Sequence, residues 1–146
     1  MNKKFVYILG LSVVLLTSCA APTTMHQRFE QVSTYLQQNS QPLGNVRFYD
    51  VPAADNPISN AIIISTTQVN SSLPSVQQVV EQITQGIPIA VTSASPSLAL
   101  ANVRSAVRSV PQGQNATVYV LAERDEDLEK TASAKGIRLF FVSPSR

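Results

Sequence analysis

The side chains able to act as nucleophile, base or metal ligand are few in this chain. The 146 residues contain one cysteine, Cys19, and one histidine, His26. His26 is far in sequence from Ser93 and Asp125, so a serine–histidine–aspartate arrangement lacks its base. One cysteine and one histidine cannot assemble a zinc site from His and Cys ligands either. The residue types therefore predict no metal and no cofactor, and they favour a protein that is not an enzyme.

A pair of carboxylates remains as a catalytic alternative. Glu123 and Asp125 follow an apolar segment that is typical of a strand, and two neighbouring carboxyl groups can transfer protons. Acidic residues at the start of a helix more often stabilise the helix dipole. We therefore expect Asp125 to cap a helix rather than to take part in a reaction.

The first residues have the pattern of an export signal. Lys3 and Lys4 precede an apolar run over residues 5–16. That run is shorter than the about 20 apolar residues of a membrane-spanning helix, but it suits the core of a signal peptide. We predict that residues 1–18 are a signal peptide that is removed.

The residues that end this signal, Leu16-Thr17-Ser18-Cys19, resemble the lipobox of bacterial lipoproteins. The resemblance implies cleavage before Cys19, a thioether from its sulfur to diacylglycerol, and a further acyl chain such as palmitate on the new amino terminus. Two or more acyl chains anchor a protein stably, whereas one does not. Ala20, which is not an aspartate, implies by the same resemblance an outer-membrane lipoprotein that faces the periplasm. The rival interpretation is a secreted protein with an incidental cysteine.

The charge balance excludes one class of partner. Without Lys3 and Lys4, nine basic residues stand against nine acidic ones. A net charge near zero gives no electrostatic attraction for nucleic acid. Removal of residues 1–18 leaves 128 residues, which is enough for one modest domain. We predict a lipidated tether over residues 19–24 and a single domain over residues 25–146.

Hydrophobic periodicity predicts an amphipathic helix at the start of this domain. Residues 25–39 place Phe29, Val32 and Leu36 on one stripe, while glutamines and Arg28 fall on the other face. The apolar stripe has two possible partners, the sheet of the same domain or another protein. We favour packing on the sheet.

Strand and helix patterns then alternate to the end of the chain. The loop over residues 52–60 leaves no room for a helix, so we expect no parallel crossover to the next strand. The strand before the loop is placed at a sheet edge, with antiparallel pairing as one option. The predicted strands cover residues 46–51, 61–65, 87–91, 116–122 and 137–142. The predicted helices begin at Ser72-Pro74, Ser95-Pro96 and Asp125, and the first and last end at Gly86 and Gly136. The alternation predicts the α/β class: a single small domain with a mostly parallel sheet of about five strands and helices packed on it.

The carboxyl ends of parallel strands are the expected place for a ligand. In the predicted fold the loops at that edge carry hydroxyl and charged groups. A ligand crevice would be formed by Thr66, Ser93, Ser95, Glu123 and Arg124. The alternative is that Ser95 and Asp125 only cap helices, and that the remaining side chains are ordinary loop polar groups.

Two stretches in the second half of the chain are IPIAVTSASPSLALANVRSAV and the terminal IRLFFVSPSR. With these stretches the chain resembles the pilus-assembly lipoproteins of tight-adherence systems. The resemblance implies a non-enzymatic accessory or assembly factor of a pilus or secretion system, with an outer-membrane or periplasmic protein as partner. The alternative is a lipid-tethered binder of a small ligand such as a cell-wall fragment. The resemblance assigns no functional residue.

Replacing the cysteine tests the anchoring hypothesis. In a Cys19→Ser variant no sulfur is available for acylation, so we expect the uncleaved precursor to accumulate and labelling by radioactive palmitate to disappear. Ser18→Ala is the matched control, because it keeps a small residue before the cleavage site and should be processed and labelled as the original chain is. Normal cleavage of Cys19→Ser, with retention in carbonate-washed membranes, would contradict the hypothesis.

Overall fold

The computed structural model describes residues 23–41 and 44–145. The predicted signal peptide, Cys19 and the first residues of the tether lie outside the described residues. Within them the chain forms five helices and four strands. In chain order these are α1 (Met25–Gln38), β1 (Arg47–Val51), α2 (Pro57–Val69), α3 (Pro74–Gln85), β2 (Ile89–Ser93), α4 (Pro96–Ser109), β3 (Ala116–Leu121), α5 (Glu126–Ala134) and β4 (Ile137–Val142).

The strands form one sheet in the order β1-β2-β3-β4, and every pair is parallel. The register places Tyr49 beside Val91, Val91 beside Val120, and Val120 beside Phe141. The predicted α/β class is confirmed, with four strands in place of about five. The edge position of β1 is also confirmed. The expectation that no parallel crossover follows β1 is wrong, because β1 pairs with β2 in parallel.

The predicted strand over residues 61–65 is wrong, because this segment lies inside helix α2. The side chain of Asn56 accepts the backbone N–H of Ser59 at 2.8 Å, and Pro57 occupies the first helical position. These two residues are a strong helix start. The predicted loop over residues 52–60 therefore ends early, and α2 with α3 provides the crossover that parallel pairing of β1 and β2 requires.

Among the described helices, only α1 covers one face of the sheet. Val32 and Leu36 of this helix are fully buried, and they pack with Tyr119 and Leu121 of β3. Phe29 contacts Phe48 of β1 with ring centroids 5.0 Å apart. The prediction that the amphipathic helix packs on its own sheet is confirmed.

The other face carries the main core. Buried side chains from α3, α4 and α5 pack there against the strands, and α2 packs on α4. Every residue of β2 and β3 is buried, which agrees with the mostly apolar sequences of these strands. Core residues of this face include Val79, Ile83, Val103, Val107 and Leu128 from the helices and Ile89, Val91, Val118 and Val120 from the strands.

Two of the predicted helix ends depend on glycine. Gly86 follows α3 with φ 69°, and Gly136 follows α5 with φ 80°. A side chain at Gly136 would also overlap the carbonyl oxygen of Gln114. The left-handed backbone and the close approach both exclude larger residues from Gly136, so this turn sets where β4 begins.

Candidate functional site

The predicted ligand crevice is only partly assembled by the fold. Ser93 and Ser95 lie where β2 leads into α4, and the Ser93 hydroxyl accepts the backbone N–H of Ser95 at 3.2 Å. Ser95 stands at the cap position of α4, but its side chain makes no capping hydrogen bond. Glu123 is exposed beyond β3, and Arg124 forms a surface ion pair with Glu129 at 2.8 Å.

Thr66 does not lie at a strand end. It is an exposed residue of α2, and its hydroxyl donates to the Ile62 carbonyl at 2.9 Å. The premise that placed Thr66 in the crevice was the strand over residues 61–65, and that strand is absent. The remaining residues at this edge therefore form a smaller polar group than the sequence predicted.

Asp125 caps α5, as the sequence predicts. Its Oδ1 accepts the backbone N–H of Leu128 at 3.0 Å, and its Oδ2 accepts a hydrogen bond from Arg104 of α4. The Leu128 N–H, followed by the Arg104 guanidinium, holds the pKa of this carboxyl below its ordinary value, although partial burial opposes the shift. Asp125 thus joins two helices and starts one of them.

A second polar cluster was not predicted. Arg28 of α1 binds Asp50 of β1 through two hydrogen bonds, from Nε to Oδ1 at 2.9 Å and from Nη2 to Oδ2 at 2.7 Å. The hydroxyl of Thr92 on β2 also donates to Asp50 Oδ1, at 2.7 Å. The side chains of Arg28 and Asp50 are only 6% and 17% exposed, so the pair is largely removed from water. We call these three residues the Arg28 cluster.

The prediction that Arg28 lies on the solvent face of its helix is wrong. Arg28 precedes Val32 and Leu36 by steps of four residues, which places all three on one stripe of a helix. That spacing is the feature of the sequence from which the burial of Arg28 could have been predicted. It was missed because a buried arginine requires a partner, and the partner, Asp50, lies on a different element.

The same arginine also holds the start of the domain. Arg28 Nη1 donates to the backbone carbonyl of Thr23, and the side chain of Thr24 caps α1 by accepting the N–H of Gln27 at 3.2 Å. Thr23 is four residues from Cys19 in the sequence. The position of Thr23, at the start of the domain, is therefore fixed relative to β1 and β2.

Two surfaces formed by the described residues are relevant to binding. The first is a shallow groove of about 750 Å³ between α1 and the end of β4. Glutamine and threonine side chains of α1 form one wall, and Phe141, Val142 and Ser143 form the other. Gln31 of this wall accepts the backbone N–H of Ser145 at 3.1 Å. In this groove the side-chain amide of Gln31 thus already binds a main-chain N–H of the segment that follows β4.

The second open surface is the outer face of α2. Ile58, Ile62 and Val69 are 76%, 62% and 86% exposed. Spacings of four and eleven residues put them on one stripe of the helix. No charged residue occurs from position 56 to position 80. We call this stripe the α2 apolar face.

Neither a membrane-spanning helix nor a metal cluster is found in the described parts of the chain. No helix there is long and apolar enough to cross a bilayer. No three His, Cys, Asp or Glu residues within the same ranges come together in a way that would hold a metal ion. Comparison of the chain with protein-family models, with curated proteins and with solved structures finds no significant match.

The lowered pKa of Asp125 predicts a pH dependence of stability. A carboxyl group whose pKa is lower in the folded than in the unfolded chain stabilises the fold above about pH 4, and that contribution is lost as the pH falls through the folded-state pKa. We therefore expect Asp125→Asn to reduce the free energy of unfolding at pH 7 and to flatten its decline towards pH 2. Urea unfolding at a series of pH values measures both effects.

Asp127→Asn is the matched control, since Asp127 lies two residues further on and its side chain is 98% exposed. We expect the control to keep most of the original pH dependence. An Asp125→Asn curve parallel to that of the original chain at every pH would contradict the assignment.

Proposed function

We propose that this chain is an outer-membrane lipoprotein acylated at Cys19, and that it acts as a non-enzymatic accessory factor of a pilus or secretion system by binding another envelope protein. The observation that carries the protein-binding part is the α2 apolar face. The lipobox-like Leu16-Thr17-Ser18-Cys19 carries the anchoring part.

The α2 apolar face differs from the apolar faces of the other helices. Leu36, Ile83 and Val107 of α1, α3 and α4 are buried, whereas Ile58 and Ile62 of α2 stay in water. Apolar surface gains roughly 25 cal/mol per Å² when it is removed from water. Ile58 and Ile62, one helical turn apart, form an exposed apolar patch, and such patches on a small domain are typical of an interaction site.

The chemistry of α2 suits a protein partner with an apolar surface. The centre of a protein–protein interface is depleted in charge, because charged groups lose hydration there. The absence of charge from position 56 to position 80 means that docking on α2 would desolvate no ionic group of this helix. We therefore infer a partner that presents an apolar patch, such as a helix with a matching stripe.

The position of Thr23 supports a location of the domain close to the membrane. Residues 19–23, if fully extended, span about 17 Å. Arg28 binds the Thr23 carbonyl beside Asp50 near the carboxyl end of β1, and α2 begins six residues after that strand ends. A partner held in or near the same membrane would thus be within reach of α2.

The alternative function, a lipid-tethered binder of a cell-wall fragment, has less support. It depended on a crevice in which Thr66 and Ser93 converge, and Thr66 lies on α2 instead. What remains of that proposal is the polar group at Ser93, Ser95 and Arg124. A ligand bound there would raise the melting temperature of the domain as its concentration rises.

Substitution of the two isoleucines tests the proposed function. We expect Ile58→Ser with Ile62→Ser to weaken binding to the partner about tenfold or more, since a loss of about 1.4 kcal/mol is tenfold in Kd. The measurement is in-cell crosslinking of the full-length chain, with identification of the envelope protein captured by the original chain and quantification of that same protein for each variant.

The matched control changes exposed polar residues of the same helix, Thr66→Ser with Gln68→Ala. The control should capture the partner as the original chain does. Equal capture of the same envelope protein by the isoleucine variant, at equal abundance and equal melting temperature, would overturn the proposal. Crosslinking through α2 only to lipid or to a second copy of the chain would overturn it as well.

A further inference from the structure

The two edges of the sheet differ in how they are protected. The edge strand β1 carries two charged residues, Arg47 and Asp50, and Asp50 is bound by Arg28 of α1. The other edge strand, β4, has the sequence Ile-Arg-Leu-Phe-Phe-Val, with Arg138 as its one charged residue. Charged residues are a common means of keeping edge strands from pairing. β4 is therefore the less protected edge.

The outward-facing backbone groups of β4 can be identified from its pairing with β3. The Val142 carbonyl accepts the N–H of Ala122 at 3.1 Å, so Val142 faces β3. The N–H and C=O of one strand residue point to the same side and alternate along the strand. Ile137, Leu139 and Phe141 thus point their backbone groups away from β3. Among the described residues, no turn, loop or side-chain group binds the backbone of Leu139 or Phe141.

We propose that β4 pairs antiparallel with β4 of a second copy of this chain, with Leu139 opposite the partner's Leu139. In this register Ile137 lies opposite the partner's Phe141. All three outward-facing residues then pair with outward-facing residues, which gives about six main-chain hydrogen bonds between the two chains. The two sheets become one continuous sheet of eight strands.

Charge selects this register over the neighbouring one. With Leu139 at the centre, Arg138 lies opposite the partner's Phe140, so the guanidinium meets an aromatic ring. A shift that centres the pair on Arg138 would place two guanidinium groups opposite each other, which is destabilising. The register centred on Leu139 is therefore favoured over the one centred on Arg138.

The carboxyl end of β4 is only partly covered and provides apolar contacts. The groove of about 750 Å³ beside α1 opens along Phe141, Val142 and Ser143. Phe140 and Phe141 are only partly buried in a single chain, and Phe140 stacks on Tyr119 with ring centroids 5.3 Å apart. Pairing of two β4 strands would cover the remaining surface of both phenylalanines.

Symmetry explains why we expect β4 to pair with β4 of a second copy rather than with the free β1 of another copy. Pairing of β4 with β1 of the next chain would be a head-to-tail contact, which continues into filaments unless the subunits close into a ring. Pairing of β4 with β4 is closed after two chains. It also leaves the α2 apolar face available, since α2 belongs to the helical layer and not to the sheet edge.

Engineered disulfides test the pairing and its register in the full-length chain in its native membrane. Opposed residues that are not hydrogen-bonded lie about 4.5 Å apart, within the range of a disulfide. Arg138→Cys and Phe140→Cys are expected to crosslink efficiently when they are combined in one chain or mixed as two chains, and each alone should give at least about tenfold less dimer. Mild oxidation followed by non-reducing electrophoresis measures the covalent dimer, with the original chain as blank.

A proline substitution tests the role of the backbone. Phe141→Pro removes an N–H that points away from β3 and leaves the β3 ladder intact, so we expect self-association to fall at least about tenfold. Phe141→Ala is the matched control, because it keeps that N–H. The mass of the detergent-solubilised chain by light scattering gives the association, and circular dichroism establishes that both variants are folded.

The outcomes decide the proposal in either direction. Specific crosslinking of the Arg138→Cys and Phe140→Cys pair, retained when Ile58→Ser and Ile62→Ser are added, supports it. Equal crosslinking of the single and paired cysteines, or none at all, overturns it whether or not the proline variant folds. A folded Phe141→Pro chain that associates as tightly as Phe141→Ala overturns it as well.

Discussion

The Arg28 cluster is the contact on which the arrangement of this domain depends. α1 is the only described helix on its face of the sheet, and its apolar stripe alone would permit several angles and displacements on a flat surface of aromatic and aliphatic side chains. A two-point hydrogen bond between a guanidinium and a carboxylate has a fixed geometry. Asp50, held also by Thr92, therefore gives α1 one position.

The energetic role of such a pair is specificity more than net stability. Moving both charges out of water costs about as much free energy as their attraction returns, but leaving one of them without its partner is strongly unfavourable. A displaced α1 would bury Arg28 without Asp50, or expose Val32 and Leu36. Both alternatives are unfavourable, so the helix, the sheet and the Thr23 carbonyl keep one relative geometry. The direction from which the predicted anchor approaches the domain follows from that geometry.

The sequence was sufficient to predict those helices and strands in which the hydrophobic periodicity agrees with the residues that start or end the element. β4 begins and ends at the predicted residues, β3 differs by one residue, and Gly86 and Gly136 end their helices as expected. In these segments, strand-forming apolar runs lie beside glycine and helix-capping residues that exclude other interpretations.

The errors have specific physical causes. Ile62, Ile63 and Ile64 are adjacent β-branched residues, which favour a strand in isolation. Asn56 and Pro57 start a helix before them, and the tertiary contact with α4 maintains it. A short apolar run cannot distinguish these states. The misplacement of Thr66 followed directly from that error. The pairing of Arg28 with Asp50 could not be predicted, because it depends on which helix lies across which strand.

Hydrogen exchange of the α1 amides in an Arg28→Gln variant tests the central role of the Arg28 cluster most directly. Loss of the guanidinium should allow α1 to detach without unfolding of the sheet. The amides of Val32 and Leu36 are therefore expected to exchange about 100-fold faster, since about 3 kcal/mol corresponds to two powers of ten, while those of β2 and β3 stay protected. Arg47→Gln, at an exposed arginine of β1, should leave the α1 amides unchanged. Unchanged protection of α1 in Arg28→Gln would contradict this account.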